Sequence, residues 1–205
     1  GIPAHNNTVT ANSIYDNSDQ GIYYEGTGPT PPTILDVDLE AGTVNGQTCA
    51  DCVVEIFSTD ATDGKFYEGT VTADENGNFD WSDLGHDFIV GETITMTSGS
   101  FIKSHKVQKL ALTSLDPTLD IVKGTTKPGA VVNVGALDEY NYWVSVDVTA
   151  NTEGVFKAKM GLIGIDLVPG TRGNIGRWDS DGDGTIINWG VPNPSFTVNL
   201  NGDYI

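Results

Sequence analysis

Positive charge is scarce in this sequence. Of its 205 residues 10 are Lys or Arg against 28 Asp or Glu, a formal net charge of −18. That balance excludes most nucleic-acid-binding roles, because a phosphate backbone demands a basic face. Anionic lipid surfaces are disfavoured for the same reason. Long apolar runs are also missing, and with no stretch of about 18 apolar residues no membrane span is expected. Helical periodicity is lacking throughout, since no window of about 11 residues repeats apolar positions at i, i+3, i+4 and i+7. Catalytic signatures are absent as well. There is no Gly-x-Ser-x-Gly, no His-Glu-x-x-His and no phosphate-binding glycine loop, and His86 beside Asp87 reads as a loop histidine. The first residues, Gly1-Ile2-Pro3-Ala4, carry no Met, basic region or apolar core, so any secretion signal is expected to be removed already or not included. No enzyme is expected.

What the sequence has is glycine, proline and alternation. With 25 Gly and 9 Pro, and runs such as Val53-Val54-Glu55-Ile56-Phe57, Thr93-Ile94-Thr95-Met96-Thr97, Val144-Ser145-Val146-Asp147-Val148 and Phe196-Thr197-Val198-Asn199-Leu200, the pattern is that of strands and tight turns. Turn signals such as Asp63-Gly64, Asn76-Gly77, Pro128-Gly129 and Pro169-Gly170 punctuate it at a sandwich-like spacing.

An internal repeat organises these strands. Val44-Asn45-Gly46-Gln47-Thr48 answers to Val122-Lys123-Gly124-Thr125-Thr126, and Val53-Val54 to Val131-Val132. Thr72-Ala73-Asp74-Glu75-Asn76-Gly77-Asn78-Phe79 matches Thr149-Ala150-Asn151-Thr152-Glu153-Gly154-Val155-Phe156, and Val90-Gly91 matches Val168-Pro169-Gly170. Landmarks in one order at a nearly constant offset mean two copies of one β module. The run Gly42–Asp60 followed by Tyr67–Trp81 resembles bacterial immunoglobulin-like modules of surface and secreted proteins. That resemblance implies spacers, stalks or adhesive units in an extracellular or cell-surface setting, although fold alone does not fix function. The fold expected is all-β, with two tandem immunoglobulin-like β-sandwiches over 29–115 and 116–205. The Gly- and Pro-rich run Gly26–Pro32 marks the first boundary and Leu115-Asp116-Pro117 the second.

Residues 1–28 read differently. Asn7, Asn12 and Asn17 recur with Val9 and Ile14, followed by Gly21-Ile22-Tyr23-Tyr24. The pattern resembles a coil of a right-handed parallel β-helix. One coil cannot bury its own apolar stripe. Val9, Ile14, Ile22 and Tyr24 are therefore expected to find cover elsewhere, as an assembly strand that completes a neighbour's sheet and builds a filament or surface layer. The alternative is that the modules are non-catalytic appendages of a β-helix carbohydrate-active enzyme, a polysaccharide lyase or hydrolase.

Two motifs invite site chemistry. Asp179-Ser180-Asp181-Gly182-Asp183-Gly184-Thr185 places carboxylates at positions 1, 3 and 5 and glycine at 6, the first half of a calcium loop, with the Thr185 carbonyl as a further ligand. Position 12 is Gly190, so an EF-hand is excluded. A calcium ion on a β scaffold is the candidate cofactor, completed by Asp138, Asp166 or water. Cys49-Ala50-Asp51-Cys52 has the CxxC spacing of redox and zinc sites. A strand follows it and no second ligand pair exists, so a disulfide stapling a turn is expected, where the second copy has Lys127-Pro128-Gly129-Ala130. Tyr23, Tyr24, Tyr140, Tyr142 and Trp143 could form a sugar-stacking platform or belong to strands and core; a glycan or cell-surface ligand is a partner expectation on that basis. Lys157 and Asn199 are candidates for a Lys–Asn crosslink by strand setting alone.

Overall fold

Period-two alternation becomes strand pairing wherever one face can be buried. The computed structural model describes residues 32–59, 66–82, 88–99 and 101–194. The strands are β1 (Thr33–Asp38), β2 (Thr43–Gln47), β3 (Val53–Thr59), β4 (Phe66–Thr72), β5 (Asn78–Ser82), β6 (Thr93–Ser98), β7 (Phe101–Lys106), β8 (Leu110–Asp116), β9 (Ile121–Thr126), β10 (Val131–Leu137), β11 (Trp143–Thr149), β12 (Val155–Lys159), β13 (Arg172–Trp178) and β14 (Gly184–Gly190). The helical content of the described residues is one 3-10 turn, Met160–Ile163. No helix among the described residues is long and apolar enough to cross a membrane.

The chain forms two compact units. One holds the described residues up to Ala111 and takes in Gly176–Ile187; the other holds Leu112–Ile175 and the described residues from Asn188. In the first unit β5, β2 and β1 pair in that order, antiparallel, and Gly184–Ile186 of β14 lies parallel to Asp36–Asp38 of β1. A second sheet runs β4-β3-β6-β7, also antiparallel. Between the sheets sit Ile34, Val37, Val44, Val54, Ile56, Phe79, Trp81, Ile94 and Met96, all buried. The second unit pairs β12-β9-β8 and β11-β10-β13, and buries Val122, Val132, Val134, Phe156, Leu167 and Ile175. Each unit is thus a β-sandwich, as the alternation implies.

The sequence repeat extends to individual hydrogen bonds. Thr48 N–H donates to the Gly77 carbonyl at 2.8 Å, and Thr126 N–H to the Gly154 carbonyl at 2.8 Å. Ala73 N–H reaches the Cys52 carbonyl at 2.9 Å, as Ala150 N–H reaches the Ala130 carbonyl at 2.9 Å. Gly91 N–H donates to the Val107 carbonyl at 2.9 Å and Gly170 N–H to the Val191 carbonyl at 2.9 Å. Both of these glycines have φ of +93°, a region where a side chain would strain the backbone.

Candidate functional site

The acidic run Asp179–Asp183 is built as a hairpin turn. The Asp179 Oδ1 oxygen accepts the N–H groups of Asp181 at 3.3 Å and Asp183 at 3.0 Å, while Asp179 N–H donates to the Asp183 carbonyl at 2.9 Å. The residue that turns the chain is Gly182, with φ of +91°. Gly184, which the calcium-loop reading takes as the turning glycine, instead opens strand β14. There a side chain would press on the Leu35 carbonyl oxygen and on the Trp178 indole. Its job is close strand approach.

Within the same unit this turn meets β7. Along β7 the alternation points Lys103 and His105 inward, and His105 is fully buried. Its Nδ1 lies 3.0 Å from Asp179 Oδ2 and its Nε2 lies 2.8 Å from Thr185 Oγ1. Gln108 N–H donates to that same Thr185 oxygen at 3.0 Å. With one lone pair taken, the Thr185 hydroxyl hydrogen is free to donate to Nε2. In the neutral ring this puts the proton on Nδ1, where it donates to Asp179. The Lys103 Nζ atom sits 2.6 Å from Asp181 Oδ2 and 3.0 Å from Asp183 Oδ2. A side-chain hydrogen bond accepted from Asp179, and next one accepted from the Lys103 ammonium, hold the Asp181 carboxyl down to about 2. Asp183 shifts the other way, because burial of its carboxylate outweighs the pull of Lys103. Lys103 in turn is raised, chiefly by its hydrogen bond to Asp181.

One ligand atom each from His105, Asp179 and Asp183 lies within 4.8 Å of the others, so these three side chains could hold a metal ion. The donor set differs from the sequence expectation. Asp179 spends both carboxylate oxygens on the turn and on His105, and Asp181 and Asp183 face an ammonium that supplies positive charge internally. Thr185 takes part through its hydroxyl. Asp138 is engaged in its own turn, accepting the N–H groups of Tyr140 and Tyr142 at 2.8 Å. His105 and Lys103 were not singled out from sequence. The available signal was two polar side chains at inward positions of an alternating strand, where burial demands partners.

Cys49 and Cys52 are disulfide-bonded across the β2–β3 turn, with Cα atoms 5.4 Å apart. Trp143 is half-exposed at the start of β11, outside the core, and Lys157 is exposed on β12, which a buried crosslink would not allow. Val9, Ile14, Ile22, Tyr23, Tyr24, His86 and Asn199 lie outside the described residues.

No protein-family model matches this chain, and no curated protein matches it. Among solved structures it is similar to a tetra-tandem repeat in the extending region of a large adhesion protein, with a TM-score of 0.29 and 16% identity over 79% of this chain and 49% of that one. It is also similar to the BSP domain of a biofilm-associated protein, with a TM-score of 0.30 and 16% identity over 82% of this chain and 30% of that one. A third similarity is to a structure described for the host cell surface retention of a 1.5-MDa bacterial ice-binding adhesin, with a TM-score of 0.25 and 12% identity over 80% and 64% of the two chains. This chain spans less than two thirds of each of these, and overlays at such scores assign neither a family nor an activity.

Proposed function

We propose that this chain is the tandem-module part of an extracellular bacterial surface protein, with a structural or adhesive role and no catalysis of its own. The observation that carries the reading is the duplication of one β-sandwich module down to matched turn hydrogen bonds, with a disulfide in one copy. Repetition of a module without a repeated reactive site is what spacing and presentation need. A disulfide persists in an oxidising compartment outside the cytosol. Residues 1–28 belong to the proposal as a strand that completes a neighbour's sheet; electron microscopy of the chain with and without them tests that part, and monodisperse particles from the intact chain count against it. The location is tested by antibody labelling of intact cells that carry the native protein. Label on unpermeabilised cells is expected, and label confined to permeabilised cells overturns the reading.

Calcium enters the proposal as a competitor of Lys103. Both would neutralise Asp181 and Asp183, and three carboxylates within five residues repel one another without a counter-charge. Removing the ammonium with Lys103→Met therefore hands the turn to the ion. Calcium should raise the melting temperature of that variant well above its value in chelator, and raise that of the wild type much less. Equal responses of the two proteins remove calcium from this turn.

A further inference from the structure

We infer that the outer face of the β10–β11 hairpin is a binding site for a neutral oligosaccharide chain, with Trp143 as its stacking platform. This site adds to the proposed surface role and does not depend on it. On β10 the side chains of Val132, Val134 and Ala136 are fully buried, so Asn133, Gly135 and Leu137 point to the other face. Register places Leu137 opposite Trp143, Gly135 opposite Ser145, and Asn133 opposite Asp147. Gly135 is nonetheless buried, and what covers it is the Trp143 indole, whose atoms occupy the space a Gly135 side chain would fill. The ring is held against the strand by this fit, yet the residue remains 48% exposed. An aromatic ring immobilised before any ligand arrives loses little freedom on binding.

Beside the ring runs a polar row. Asn133 Nδ2 donates to Asp147 Oδ1 at 2.7 Å and to Ser145 Oγ at 3.2 Å. Trp143, Ser145 and Asp147 take alternate positions along β11, about 7 Å apart. An extended chain laid along β11 would meet the indole and then oriented hydrogen-bonding groups. A sugar suits that sequence of surfaces. The axial C–H bonds of a pyranose ring, made electropositive by neighbouring oxygens, face the electron-rich indole, and its hydroxyls meet the carboxylate, amide and hydroxyl. Charge selects among sugars: residues 131–149 contain Asp138, Glu139 and Asp147 and no Lys or Arg, so acidic glycans are repelled. A protein partner fits less well, because a stable protein interface needs an apolar centre and about 800 Å² from each side, whereas here Trp143 and Leu137 adjoin the polar row of Asn133, Ser145 and Asp147.

The test is calorimetric titration of the intact chain with cellohexaose, xylohexaose, mannohexaose and maltohexaose, and with polygalacturonate as the acidic control. At least one neutral hexasaccharide should bind with a Kd between about 10 μM and 1 mM, and polygalacturonate should not. Trp143→Ala should weaken that binding at least about tenfold, with a melting temperature lowered by the uncovering of Gly135 yet still above the titration temperature, and Trp143→Phe should restore part of the binding. Absence of binding to every neutral sugar, or equal binding by Trp143→Ala, overturns the site. Self-association of the chain that Trp143→Ala abolishes also overturns it, in favour of a second copy as occupant.

Discussion

Each of the four tryptophans lies against a glycine. Trp81 Nε1 approaches the Cβ position of Gly69 to 3.0 Å, and the indoles of Trp143, Trp178 and Trp189 fill the side-chain space of Gly135, Gly176 and Gly173. A bare strand position weakens a sheet, and a neighbouring ring laid over it restores cover. This pairing was not legible in the sequence, because it depends on which residues register brings side by side. The turn glycines were legible, and their costs divide cleanly. Gly77 has φ of +81°, and a side chain there would overlap the Thr48 carbonyl oxygen. Gly129 has φ of +72° with nothing within 4 Å of its Cβ position. Gly129→Ala therefore carries backbone strain alone, about 1 kcal/mol. Gly77→Ala adds steric overlap and should cost about 3 kcal/mol or more. Urea denaturation of the two variants measures the gap, and equal losses would mean that the Thr48 carbonyl moves aside freely.

At the scale of the element, one turn recurs. Asp74, Asp138, Asn151 and Asp179 each accept through Oδ1 the N–H groups of the residues two and four positions on. The fourth residue in each turn has positive φ: Gly77, Asn141, Gly154 and Gly182. This explains why the acidic run was hard to read. An aspartate at the first position and a nearby glycine serve a hairpin and a cation loop alike, and the counter-charge that faces this turn comes from Lys103 on β7, distant in sequence. The Asn141 turn carries no glycine and so gave no signal. The recurrence also contains its own control, since the second module uses Asn151 where the first uses Asp74. The Asp74 carboxyl is held below its ordinary value, first by the Asn78 backbone N–H. A lowered carboxyl stabilises the fold above its unfolded value near 3.8 and loses that contribution as pH falls through its folded value. Asp74→Asn keeps the turn and removes the charge. Relative to this variant the wild type should hold an advantage at neutral pH that vanishes on acidification below the ordinary carboxylate range. Melting temperatures across an acid series show it, and a constant offset would refute the linkage.

For the molecule as a whole, the duplication was legible because turn residues and buried residues keep their offset. The division of the chain was harder to foresee. Gly176–Ile187 belongs with the first unit although it lies late in the sequence, and composition does not announce such a return. If the two units are copies of one design, their parts should be exchangeable. The β2–β3 turn offers the cleanest exchange. Cys52 N–H donates to the Cys49 carbonyl at 3.2 Å, and Ala130 N–H to the Lys127 carbonyl at 3.0 Å. The third residue has positive φ in both, 56° at Asp51 and 72° at Gly129. The first copy thus holds a non-glycine residue in a glycine position behind a disulfide, and the second uses Pro and Gly to rigidify the same turn. Closing so short a loop contributes about 2 kcal/mol, so Cys49→Ala with Cys52→Ala should cost about that much. Replacing the whole turn by the second copy's solution, with Cys49→Lys, Ala50→Pro, Asp51→Gly and Cys52→Ala together, should recover most of the loss without any sulfur. Proline shrinks the unfolded ensemble and glycine relieves the strain at Asp51, each by about 0.5–1 kcal/mol. Denaturation under oxidising and reducing conditions distinguishes the three proteins. A grafted chain no more stable than the double alanine variant would show that the two turns are alike in outline and not in energetic construction.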